Sequence, residues 1–252
     1  MVFRLMTYNI LDGGLGREQL ILDVLKAVGA DAVLLQEVKD PSIVQSFAAA
    51  LSMHFFLAEG NSKRHLALLS RFPITSRYSY HPFPLRHTLL EATIECASNQ
   101  YIHLFGVHLQ AHYTVFNEWW RTWEIKTIIQ KVAEYRSNPS FIAGDFNAVA
   151  PGDRVNIQAL PARFKIILFL QGGRIFRHTI AKIISAGFID CYRVLHPCDD
   201  GFTLPMPVPH VRLDYIFANQ SLARCIRCDV VTKSPAVHKA SDHYPIMAEF
   251  EL

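Results

Sequence analysis

The 252-residue chain is expected to fold as an α/β protein, and three observations point there. Apolar runs of strand length recur from end to end, amphipathic helical stretches lie between them, and 50% of the residues are hydrophobic against 19% charged, enough to bury a large core. No internal repeat, low-complexity tract or linker divides the sequence, so residues 1–252 are expected to form one domain. The net charge of +3 suits a polyanionic partner without demanding one, because the basic residues are spread along the chain. Residues 1–9 lack the basic flank, long apolar centre and cleavage site of a secretory signal, and no apolar run approaches the ~20 residues of a spanning helix. A cytoplasmic location is the expectation. Five cysteines, an odd number, agree with a reducing compartment rather than a disulfide framework.

Residues 3–9 read as a strand ending on Asn9, with Thr7 and Asn9 on one face, followed by the glycine-rich loop 12–16. Between residues 17 and 28, Leu20, Ile21, Val24, Leu25 and Val28 recur at three- and four-residue spacing, an amphipathic helix closed by Gly29. The short apolar strand 32–36 runs into Glu37. Residues 42–51 are helical in pattern with Ser42 as the N-cap, and 66–70 form a strand broken by Arg71-Phe72-Pro73. Strands 88–96 and 101–108 pair through a turn at Ser98-Asn99, the second ending in Val107-His108-Leu109-Gln110. For a lone histidine such as His108 a hydrogen-bonded structural role is the simpler account. A loop with Tyr113, Phe116, Trp119 and Trp120 leads into a helix reaching about Arg136, whose buried stripe is Ile125, Ile128, Ile129 and Val132. Ordinary packing is favoured for the tryptophans over a substrate-stacking surface.

The apolar run 141–143 delivers Gly144-Asp145-Phe146-Asn147. On a strand, Asp145 and Asn147 would point the same way, and one carboxylate and one amide would face one site. On those four residues alone an Asx turn is the simpler account. Residues 154–187 hold the apolar centre Ile166-Ile167-Leu168-Phe169-Leu170 amid Arg154, Arg163, Lys165, Arg174 and Arg177. A buried helix with solvated flanks is expected there, ahead of a phosphate-facing lid or an interfacial helix. The strand 211–217 puts Asp214 on the face of Arg212 and Ile216, and the stiff loop with Pro205, Pro207 and Pro209 belongs on the rim of any cleft. Ser241-Asp242-His243 precedes the last strand, 246–252. Cys225 and Cys228, with Cys191 and Cys198, offer four thiolates, but the second pair has the wrong spacing for zinc, and on a strand 225–231 positions i and i+3 face opposite ways. Zinc is not expected.

Taken together, Thr7-Tyr8-Asn9, Gln36-Glu37, Gly144-Asp145-Phe146-Asn147, Leu213-Asp214-Tyr215 and Ser241-Asp242-His243 resemble, in order and across nearly the whole chain, the motifs of the endonuclease/exonuclease/phosphatase superfamily. The resemblance implies a deoxyribonuclease I-like four-layered α/β sandwich, two packed mixed β-sheets flanked by helices. It also implies a magnesium-dependent phosphodiesterase, with manganese as a substitute. A phosphodiester is a poor electrophile, so its hydrolysis needs charge stabilisation and an oriented water, and a hard cation suits oxygen ligands. By this likeness Glu37 is the principal metal ligand with Asn9 and Asp242 nearby, and Asp145 orients or deprotonates the water. Asn147 holds that water or a phosphate oxygen, His243 contacts the phosphate, and Asp214 fixes its tautomer.

His108 resembles the additional histidine of the deoxyribonuclease, sphingomyelinase and tyrosyl-DNA phosphodiesterase branches, where it helps stabilise the phosphate or leaving group. An abasic-site activity is correspondingly demoted. Leu11 stands where several relatives carry an Asp near the metal, which counts against a fuller acidic shell and a second metal. Nucleic acid is the expected substrate of an expected monomer, with Tyr113, Trp119, Arg154 and Arg177 as rim contacts. A phospholipid or soluble phosphoester is the alternative, preferred if the segment around Phe169 proves to be an exposed lid beside the cleft. A catalytically dead binding module is disfavoured, because so many unsupported acidic and imidazole groups would be costly to bury.

Overall fold

A computed structural model of the chain describes residues 1–135, 137–219 and 224–252. Twelve strands form two six-stranded sheets. The first runs in the order β11 (Arg224–Val230), β12 (Ile246–Glu251), β1 (Val2–Asn9), β2 (Ala32–Val38), β4 (His65–Ser70), β3 (His54–Ala58). The second runs β5 (Ile74–Tyr80), β6 (Leu89–Ala97), β7 (Gln100–His108), β8 (Ser140–Asp145), β10 (Asp214–Asn219), β9 (Phe188–Asp190). Each sheet is mixed, with β1 parallel to β2 in one and β7 parallel to β8 in the other.

Alternation along the strands builds three apolar layers. Between the sheets, Phe3 and Leu5 of β1 meet Leu104, Phe141 and Phe250, with Phe141 4.4 Å from Phe250 between ring centres. On the outer face of the first sheet, α1 (Glu18–Val28) lays Ile21, Val24 and Leu25 against Met6, Tyr8 and Val33, beside α2 (Pro41–Leu51). On the outer face of the second, α3 (Val115–Val132) and α5 (His178–Ser185) bury Ile125, Ile128, Ile180 and Ile183 over Phe105, Ile142 and Phe217. Helix, sheet, sheet, helix is the four-layered sandwich that the motifs imply. The remaining helices are α4 (Ala162–Leu170), α6 (Cys191–Leu195) and α7 (Val237–Ala240).

Several local expectations change. Helix α2 begins one residue earlier than expected, with Pro41 in the first turn and Asp40, not Ser42, as the cap: the Asp40 side chain accepts the Ser42 N–H at 2.9 Å. Phe116, Trp119 and Trp120 lie inside α3 rather than before it, and its expected end at Arg136 lies outside the described residues. Strand β10 starts only at Asp214, so Arg212 is not its strand neighbour. A β-bulge at Ile226 brings Cys225 opposite Phe250 and Cys228 opposite Ala248, so both thiols turn toward the interior with Cys191 instead of to opposite faces. The short strands β3, β5 and β9 were not legible, because none carries a full period-two pattern of its own.

Helix α4 is the largest departure. The expected buried helix has no buried residue at all. Phe169 and Leu170 are 82% and 76% exposed, and its other side, with Phe164, Ile167 and Leu168, lines a cleft of about 240 Å³.

Candidate active site

Both parallel pairs, β1 with β2 and β7 with β8, end at the same edge of the sandwich, and the antiparallel β10 and β12 begin there. Asn9, Glu37, His108, Asp145, Asp214 and His243 are therefore delivered to one place by six strand ends. All are nearly buried.

Two sharp backbone features aim the carboxylates. Glu37 sits at φ +64° where the pairing of β2 with β4 slips, so the strand runs past it to Val38 and its side chain is turned out of the ladder. Gly144 has no room for a side chain: a Cβ there would overlap the Val107 carbonyl of the neighbouring strand. β8 ends at Asp145, and Asn147 adopts a left-handed φ of +49°, its N–H donating to Asp145 Oδ1 at 2.9 Å. This is the Asx turn. It also serves the site, since the turn, rather than strand alternation, carries Asn147 to the cleft wall beside Asp242. The Asn147 amide donates to Leu109 O at 3.1 Å.

Asp145 is the hub. Its Oδ2 accepts the Asn9 amide at 3.0 Å and lies 3.6 Å from His108 Nε2 and 3.8 Å from His243 Nε2. Burial, then the neighbouring Asp214, pushes its pKa up to about 7 against the opposing pull of His243. Burial alone would lower the His243 imidazole, but the Asp214 carboxylate 2.8 Å from its Nδ1, with Asp145 and Asp242 behind it, raises it to about 10. At neutral pH the ring is an imidazolium held by Asp214. The other Asp214 oxygen, Oδ1, is buried without a partner among the described residues. His108 is driven the other way, well below the usual range, by burial first and then by the neighbouring His87, His243 and Arg64. It therefore stands 3.6 Å from Asp145 as a neutral ring, stacked on His87 at 4.6 Å.

Glu37 uses one oxygen for structure: Oε2 accepts the Asp12 N–H at 2.8 Å and lies 3.4 Å from Arg64 Nε. Its Oε1 accepts no hydrogen bond among the described residues and points toward His108 Nε2 at 4.0 Å. Asn9 Oδ1 accepts the Leu11 N–H at 3.1 Å and keeps a lone pair. Asp242 is half-exposed, and burial and then Glu37, against the pull of His243, raise its pKa. An all-oxygen donor set with a free carboxylate oxygen fits a hard divalent cation.

Some participants carried no sequence signal. Arg64 and His87 belong to no motif, and only the folded chain puts them on Glu37 and His108. Arg212 is completely buried and bonds Asp153 at 2.8 Å and Asp190 at 2.6 Å. Tyr215 OH accepts the Ala150 N–H at 3.0 Å and donates to the backbone carbonyl of Ala148 or Arg212, 2.9 and 3.0 Å away, pinning the segment that follows Asn147. Of the expected rim contacts, Tyr113 lines the cleft and Trp119 is 69% exposed. Arg154 is instead paired with Asp200 at 3.0 Å, and Arg177 is bonded to the Ala150 carbonyl. Leu204 and Pro205 stand on the cleft wall, as the proline loop suggested. The expectation of ordinary packing holds for Trp120, whose Nε1 donates to Pro84 O at 2.9 Å, and fails for Trp119.

Fold and site together define a metal-dependent phosphoric ester hydrolase. The chain belongs to the Endonuclease/Exonuclease/phosphatase family, whose model matches residues 6–243, and enzymes of this family use divalent metals. No curated protein sequence matches it. Among solved structures it is similar to an AP endonuclease from Archaeoglobus fulgidus (TM-score 0.77, 18% identity, 99% of this chain and 100% of that one). It is also similar to the human Nocturnin catalytic domain (0.75, 20%, 99% and 94%) and to humanized D. rerio TDP2 (0.72, 19%, 100% and 99%). At these identities the likeness is one of fold. Among the described residues no helix is long and apolar enough to cross a membrane.

Proposed function

We propose that the protein is a magnesium-dependent phosphodiesterase that attacks its substrate with water. The observation that carries this reading is the pair Asp145 and His243, 3.8 Å apart, with both pKa values raised, to about 7 for the carboxyl and about 10 for the imidazole. A carboxyl group that titrates near neutrality is matched to taking a proton from water. Asn9 and the Asn147 N–H hold both Asp145 oxygens, which fixes the direction of that transfer. His243, locked by Asp214, presents a proton at Nε2 to the phosphate oxygens as negative charge builds, and neutral His108 donates from the other side. Asn147 positions the water or a phosphate oxygen.

Glu37, with Asn9 and Asp242, would hold the cation, which supplies charge neutralisation at the phosphate. Asp145, Asp214 and His243 form a tighter cluster, with ligand atoms within 4.8 Å of one another. An imidazolium already donating to Asp214 makes a poor ligand, so the metal is assigned to Glu37 Oε1.

For the substrate, the cleft favours an amphiphilic phosphodiester of the phospholipid class. Asn147 and Asp242 line it together with the apolar residues of α4 and with Leu204, Pro205 and Val211, and Arg163 and Arg174 in the same lining are available as phosphate partners. Nucleic acid is the second reading, favoured by the similarity to D. rerio TDP2 complexed with single strand DNA product. Turnover of a bis-aryl phosphodiester, a phospholipid and single- and double-stranded DNA, with magnesium and with chelator, tests both levels. Magnesium-dependent cleavage of the aryl ester supports the reaction, and DNA cleavage without lipid cleavage reverses the order of the substrates.

A further inference from the structure

We propose that the outer face of α4 and the adjoining face of α3 form a docking surface for an anionic lipid bilayer. The inference rests on the phospholipid reading for its purpose but not for its physics. Ile166, Phe169 and Leu170 on α4 and Phe116, Trp119 and Trp123 on α3 are all more than half exposed. Phe116, Trp119 and Trp123 recur at i, i+3 and i+7, an outward aromatic stripe on a helix whose other side is core. Single exposed apolar residues are ordinary, but two neighbouring helices that each turn their largest side chains to solvent mark an interaction surface.

The two faces are joined. Gln171 accepts the Val115 N–H at 2.7 Å and donates to Tyr113 O at 3.1 Å, so Leu170 and Phe116 each stand one residue from the joint between the helices.

Charge decides the occupant. From residue 154 to residue 189 there is no acidic residue, and Arg163, Lys165, Arg174 and Lys182 are basic and exposed, whereas Arg154 is paired with Asp200 and Arg177 is bonded to the Ala150 carbonyl. A basic segment carrying exposed Phe, Leu and Ile, beside tryptophans suited to the headgroup level, is complementary to a surface that is anionic outside and hydrocarbon within. A protein partner would supply the apolar part of this match but has no reason to be uniformly acidic. Because the same helix forms the inner wall of the cleft, docking would set the mouth of the site at the lipid headgroups.

All three tryptophans of the chain, Trp119, Trp120 and Trp123, lie at this surface, so intrinsic fluorescence reads it directly. Full-length protein is mixed with vesicles of phosphatidylglycerol or of phosphatidylcholine and assayed by tryptophan emission and co-sedimentation. The expected result is a blue shift and retention on phosphatidylglycerol vesicles, weakened by salt, with little retention on phosphatidylcholine. The double variant Phe169→Ser, Leu170→Ser, whose side chains touch no core, should bind about tenfold more weakly or worse with an unchanged melting temperature. No retention on either vesicle, retention of the double variant equal to the parent, or a blue shift produced only by single-stranded DNA or by self-association overturns the proposal. Turnover of the soluble bis-aryl ester is measured separately, so hydrolysis without docking and docking without hydrolysis are distinguishable.

Discussion

Helix α4 and the polar edge formed by the strand ends are built by opposite rules. At the edge Asn9, Glu37, His108, Asp145, Asp214 and His243 are all buried, and most are satisfied by another named group: Asn9 by Asp145 and Leu11, His243 by Asp214, Glu37 by Asp12. On α4 no residue is fully buried, and Ile166, Phe169 and Leu170 face water. The first arrangement preorganises charge for a reaction, because groups that cannot relax do not have to be reorganised in the transition state. The second fixes little, and leaves a surface that lowers its free energy only by meeting something else.

That contrast can be broken at several strengths. At the edge, His243→Ala should cost on the order of 10³-fold in turnover of a bis-aryl phosphodiester while the fold persists. A variant as active as the parent removes His243 from the reaction. Glu37→Gln should shift the magnesium titration to higher concentration, with a comparable loss at limiting metal; an unchanged titration curve places the cation elsewhere.

Next in size is a change to the scaffold rather than to the chemistry. Gly144→Ala forces a Cβ into the Val107 carbonyl, and should lower stability by about 3 kcal/mol, read as a fall in Tm of about 10 °C. A Tm within 2 °C of the parent would mean that β8 can move away from β7 and that the edge is not rigid there.

The pH dependence of stability in the presence of chelator has a definite sign. His243 has a folded pKa of about 10 against 6.5 for a free imidazole, so its contribution is complete below 6.5 and is lost as pH rises toward 10. Asp145, raised from 3.8 to about 7 mainly by burial, works in the same direction: its contribution is complete below 3.8 and is lost as pH rises through 7. Relative to the double variant Asp145→Asn, His243→Gln, the parent should therefore lose Tm from pH 4 to 10. A parent that gains stability over the variant in that range would contradict the protonation assigned to the pair.

The smallest effect belongs to α4. Phe164→Ala, on the inner wall, should raise KM for a phospholipid substrate by about tenfold and leave KM for the small aryl ester unchanged. Equal changes for both substrates would assign Phe164 to general stability.

How much could be read in advance divides along the same line. The motif residues were legible as candidates because strand ends deliver polar groups at fixed places in the chain, and the structure brings Asn9, Glu37, His108, Asp145, Asp214 and His243 to one edge. What each does there was not legible from any motif singly. The Gly144-to-Asn147 stretch shows why: an ordinary Asx turn and a functional turn have the same local hydrogen bond, and only the 3.0 Å contact from Asn9, 136 residues away, separates them. Arg64 and His87 had no local signature at all, since their roles are contacts across the fold. Helix α4 reads as buried from its sequence because it is apolar on every side, a pattern that ordinarily signals burial.

By itself, then, the order of residues determined the helices with clear amphipathic periods, the main strands, and the set of oxygen and imidazole groups available for phosphoester chemistry. The tertiary structure decided which of those groups share an environment, and so their charge: Asp145 is lifted toward neutrality and His243 kept protonated by neighbours that are distant in sequence and close in space. It also decided that an apolar helix would stand at the surface, because the core was already filled by two sheets and their covering helices. Propensity and patterning are local quantities, whereas electrostatic shifts and burial are sums over everything nearby, and those sums exist only once the chain has folded.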